Sequence, residues 1–117
     1  MNQTGQGPPA PAPDRMEGMR MKMLTIIVSR DLSHEVEDLI ASLQVDCYVQ
    51  FPDALGISHS CKGMLGDNLP WEASVMLVSG EDDKLEALAG KIQAHVAAKP
   101  FKPCLRMMLS AVDKAWT

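Results

Sequence analysis

The stretch Asp46–Trp71, DCYVQFPDALGISHSCKGMLGDNLPW, decides how the rest of the chain is read. Its ends read as strands, one over Asp46–Phe51 and another starting at Trp71, and Pro52 is expected to stop the first because it has no amide hydrogen to give a ladder. The span between them is long for a connection in a small domain, and ordering backbone without secondary structure costs entropy. Function is therefore sought there first. Pro52 and Pro70 restrict the backbone at either end while Gly56, Gly63 and Gly66 free its middle, which predicts a span from Asp53 to Asn68 that is mobile until a ligand orders it.

Upstream, MKMLTIIVS (Met21–Ser29) is apolar and β-branched at both alternating sets of positions, the pattern of a strand covered on two faces. Val36, Leu39, Ile40 and Leu43 then recur at helical spacing, with Asp31 or Ser33 as the cap and Glu35 and Glu37 at the positive end, predicting a helix that runs to Gln44. Downstream, WEASVMLV (Trp71–Val78) reads as a third strand closing at Ser79–Gly80. A second helix follows, capped by Asp82 or Asp83, striped by Leu85, Leu88, Ala89, Ile92 and Val96, and ended by Lys99–Pro100. CLRMMLSAV (Cys104–Val112) is the fourth strand. The order β-α-β-β-α-β predicts an α+β, ferredoxin-like fold with both helices on one face of a four-stranded antiparallel sheet.

That plan leaves the second face bare, yet the strands offer apolar groups to both: Met23, Thr25 and Ile27 against Leu24, Ile26 and Val28, and Ala73, Val75 and Leu77 against Met76 and Val78. A patch of that size is unusual on a soluble monomer, so a homo-oligomer that buries it is expected.

The 117 residues, 46% of them hydrophobic, suit one domain over residues 21–117 behind a disordered tail over residues 1–20, which holds four prolines and three glycines. The net charge of -4 argues against nucleic acid as a partner, since a phosphate backbone calls for a basic face. Three cysteines, an odd number without close pairing, give little support to a disulfide framework, and no run approaches the roughly 20 apolar residues that cross a bilayer. A cytoplasmic protein is expected.

With Phe51, Pro52, Leu55 and Gly56 forming a Phe-Pro-x-x-Leu-Gly segment that leaves the second strand, and Pro70–Trp71 entering the third, the chain from Met21 to Trp116 resembles the homologues of the nitrogen-regulatory P-II signalling protein. The resemblance implies a homotrimer with its sheets facing inward and small-molecule sites in the clefts between subunits at the base of the long loop. It also implies a protein target met by that loop, a membrane transporter being one candidate, and it places Gln50 beside a ligand contact. Two features depart from the family. The stretch after the second helix, Lys99-Pro100-Phe101-Lys102-Pro103, has no glycine to cradle phosphate, and the loop has no tyrosine to modify.

Several side chains in this frame carry chemistry. Lys62 followed by Gly63 offers an ammonium and a free amide to an anion, with Lys99 and Lys102 as further cations. Arg106 interrupts an apolar strand and so calls for a carboxylate, a carbonyl or a bound anion. His59 and Cys61, one residue apart, are both ligands for thiolate-preferring metals, although two groups do not close a site. Met76, Met107 and Met108 are expected in the core, and Trp71 as a packing anchor. No nucleophile turn or acid–base pair points to an enzyme. The expected function is a non-enzymatic regulatory protein that senses a small effector, anionic or nucleotide, through Gln50, Lys62, Gly63 and Arg106. The alternatives are a metal-responsive protein using His59 and Cys61, and an interaction module without a ligand.

Overall fold

A computed structural model describes residues 21–57 and 70–116. In chain order these hold strand β1 (Met21–Ser29), a 3-10 turn (Arg30–Leu32), helix α1 (Ser33–Ala41), strand β2 (Cys47–Gly56), strand β3 (Trp71–Glu81), helix α2 (Asp82–Ala97) and strand β4 (Leu105–Ala111). The strands form one antiparallel sheet in the order β2-β3-β1-β4. This is the expected ferredoxin-like plan.

Alternation along the strands fixes the core. Leu24, Ile26 and Val28 of β1, with Met76 and Val78 of β3, are buried beneath Val36 and Ile40 of α1 and Leu85, Leu88 and Ile92 of α2. Both helices therefore cover one face, and each of these side chains contributes about 1.5–3 kcal/mol by leaving water. Leu105 and Met107 of β4 pack against the same cluster. Met108 faces the other way and is half exposed, so that methionine is not core.

Residues paired across antiparallel strands share a face. By register, the second face carries Val49 and Phe51 of β2, Val75 and Leu77 of β3, Thr25 and Ile27 of β1, and Arg106 and Met108 of β4. No described element lies over it. Val49 and Phe51 are 50% and 52% exposed, large values for apolar side chains in mid-strand.

Four details differ from the sequence reading. Strand β2 does not stop at Phe51 but continues through Pro52 to Gly56, with an irregular register between Phe51 and Ala54. Because β2 is an edge strand and Pro52 falls in the bulge, its missing amide leaves no ladder bond unmade. The segment Asp53–Gly56, expected to be mobile, is thus strand. Strand β3 likewise runs past Ser79–Gly80 to Glu81. Neither helix has a side-chain cap: Leu32 and Glu81 stand at the cap positions, and Asp82 and Asp83 lie in the first turn of α2, where they meet the helix dipole. Helix α1 ends at Ala41, short of Gln44, and the Ser42 hydroxyl donates to the Leu39 carbonyl at 2.7 Å, a local bond that competes with continuing the helix. The tail expected over residues 1–20 lies outside the described residues.

Candidate functional site

The base of the β2–β3 connection is where the sequence places the ligand, and three polar clusters surround it. Gln50 sits opposite Met76, so its side chain points to the helix-covered face. There its amide nitrogen donates to Glu37 Oε2 at 2.9 Å and to Ser74 Oγ at 3.1 Å. Ser74 is fully buried, a polar residue in an otherwise apolar strand, and the amide satisfies it. Glu37 Oε1 in turn lies 4.0 Å from His34 Nδ1. An effector that uses Gln50 must either take its amide nitrogen from Glu37 or donate a hydrogen bond to its side-chain carbonyl.

Past the bulge, β2 and β3 continue as a two-stranded stem, because β1 pairs with β3 only as far as Ser29↔Ala73 while β2 pairs on to Gly56↔Trp71. The Trp71 ring lies flush against the Gly56 backbone: a Cβ at Gly56 would come within 2.8 Å of Trp71 Cε2 and Nε1. Trp71 is the packing anchor expected of it, and Gly56 is glycine for this close approach as much as for flexibility. From the turn after β1, Arg30 reaches both strands of the stem, its guanidinium 3.4 Å from Asp53 Oδ1 and 3.4 Å from Glu72 Oε1.

A third cluster joins the helices. Glu35 Oε1 in the first turn of α1 accepts from His95 Nε2 at 2.5 Å and Lys99 Nζ at 2.6 Å. These hydrogen bonds, Lys99 first and then His95, hold the Glu35 carboxyl below its ordinary value against a smaller opposing effect of burial. Lys99, a candidate anion contact by sequence, is already committed to this carboxylate. Lys102 is exposed.

The structure does not bring Gln50 and Arg106 together within one chain. They lie on the two edge strands and on opposite faces of the sheet. Three strand spacings of about 4.8 Å separate their strands, and the sheet itself lies between their side chains. His59, Cys61, Lys62 and Gly63 lie outside the described residues. Among the described residues no three of His, Cys, Asp and Glu converge as a metal site. Cys47 is free and exposed, whereas Cys104 is disulfide-bonded, in a chain whose cysteine count gave little support to a disulfide framework.

Sequence reasoning missed Arg30, Glu37, Glu72 and Ser74. Only Ser74 carried a signal, as a lone hydroxyl among Val, Met and Leu.

No protein-family model matches the chain, and no curated protein matches it. Solved structures do. A DUF3240 family protein from Shewanella baltica superposes with a TM-score of 0.65 at 13% identity, covering 84% of this chain and 96% of that one. The divalent ion tolerance protein CutA1 from Ehrlichia chaffeensis gives 0.61 at 10% identity, covering 83% and 85%. GlnK from B. subtilis, solved as a complex with ATP, gives 0.54 at 8% identity, covering 80% and 85%. The fold is therefore the P-II-like form of the ferredoxin-like plan, as the Phe-Pro-x-x-Leu-Gly and Pro-Trp segments led one to expect.

Proposed function

We propose that this protein is a non-enzymatic regulatory protein that works as a homotrimer, takes a small effector in the clefts between its subunits, and signals to a protein target through the segment joining β2 and β3. The observation that carries the reading is the apolar sheet face of Val49, Phe51, Ile27, Val75 and Leu77, which no described element covers. In a P-II-like fold, a second copy on that face creates clefts beside the β2 edge. Sharing the site between copies also resolves the separation of Gln50 and Arg106, since one copy supplies the first and its neighbour the second. Lys62 and Gly63 complete the set from the connecting segment.

The effector class is a small anion or a nucleotide. Support for a nucleotide is the likeness to the GlnK–ATP complex. Against a glycine cradle of the usual kind stands the stretch Lys99–Pro103, so any phosphate contact here relies on side chains. Thermal-shift screening with adenine nucleotides, small carboxylates, inorganic phosphate and divalent metals tests the reading, because a ligand of the native state raises its stability by RT ln(1 + [L]/Kd). A true effector is expected to raise the melting temperature of the parent and to lose most of that effect with Gln50→Ala or Arg106→Ala. A response to metal alone with the thiols kept reduced, abolished in His59→Ala/Cys61→Ala, favours the metal-responsive alternative, and no response to any class favours an interaction module.

A further inference from the structure

Among the described residues, the basic side chain of Arg30 ties both strands of the stem beyond the bulge to the turn after β1. Strand β1 stops pairing at Ser29↔Ala73, so Glu72 and Trp71 bond sideways only to Leu55 and Gly56. The irregularity between Phe51 and Ala54 breaks the β2 ladder at the same level. A two-stranded ribbon that leaves a sheet at a bulge has a natural bending point there, because the extra residue interrupts the ladder and alters the local twist. Arg30 lies across that point. It is anchored in the 3-10 turn at the end of β1, and its two terminal nitrogens reach one carboxylate on each strand of the ribbon, Asp53 on β2 and Glu72 on β3.

We infer that Arg30 is an ionic latch that sets the angle of the β2–β3 stem against the sheet, and that the stem pivots at Pro52–Asp53 when the latch is released. The contacts are those of a latch rather than a staple. Both are 3.4 Å long, Asp53 and Glu72 are largely exposed, and Arg30 Nε is buried without a hydrogen-bond partner. A guanidinium matched to its partners would use its fork in short, paired bonds. Held loosely between two solvated carboxylates, it is sensitive to salt and open to competition by an anion for Arg30 or by a cationic group of a partner for the two acids. The inference deepens the proposed function, in which the signal leaves through this connection, but its test needs no effector and can fail independently.

Amide exchange followed by NMR in the full chain, without ligand, reads the latch directly. Raising NaCl from about 20 to about 500 mM, which shortens the screening length several-fold, is expected to speed exchange in residues 54–56 and 71–73 several-fold while Ile26 and Met76 stay unchanged. Arg30→Gln should show the fast stem at low salt and lose the salt response, and Asp53→Asn/Glu72→Gln should match it. Arg30→Lys should restore only part of the protection, having the charge without the fork. The inference is overturned if Arg30→Gln leaves stem exchange as in the parent, or if stem and core amides accelerate together, since that reports global stability instead of a pivot.

Discussion

Glu35 shows how one carboxylate joins distant parts of this chain. It lies 60 residues before His95 and 64 before Lys99, so no spacing rule reveals the cluster, whereas the helical stripes that bring α1 and α2 together are plain in the sequence. Its depressed carboxyl also fixes the sign of a pH effect. A group whose folded value lies below its unfolded value stabilises the fold above the unfolded value, here 4.5, and loses that contribution as pH falls through the lower folded value. The urea midpoint of the parent should therefore exceed that of Glu35→Gln by a constant margin from neutral pH down to about 4.5, and the margin should shrink below it. A margin that grows on acidification contradicts the assignment. At Gly56 the prediction is steric: valine there meets the Trp71 ring and should destabilise the fold by about 1–3 kcal/mol, measured by denaturant titration. Trp71→Ala in the same background should recover part of the loss.

At the level of strands and helices, most of the architecture was legible because burial imposes period. Leu24, Ile26 and Val28 alternate toward the helices, and Leu85, Leu88 and Ile92 return every turn, as the apolar pattern predicted. Pro52 was misread because the rule against proline in a strand applies to a paired side, and nothing local says that β2 is an edge. Arg30 was missed for a related reason. Its partners lie 23 and 42 positions away, brought near only by the register of β1, β2 and β3. Of the candidate site residues Gln50 was singled out from the family resemblance, but its engagement with Glu37 and Ser74 was not legible, because it depends on which face of β2 turns toward α1. The second sheet face yields the prediction for this level. Val75→Glu, in the middle of the half-buried patch, should disrupt assembly and lower solubility, whereas Glu86→Lys, on the exposed side of α2, should leave both unchanged. Size-exclusion chromatography of the two variants beside the parent checks it.

For the molecule as a whole, the polar clusters and the apolar face divide the labour. Helices and core hold one face of the sheet rigidly, Arg30 and Trp71 hold the stem, and Gln50 waits at its base with its amide already engaged. Within one chain Gln50 and Arg106 stand on opposite edges and opposite faces of the sheet. On the proposed reading the site is complete only when a neighbouring copy brings the two together, so that assembly would precede ligand sensing. Sedimentation equilibrium at micromolar concentration tests this most directly. Three times the 12.8 kDa chain mass, independent of concentration, is the predicted result, and a stable species of 12.8 kDa would contradict it.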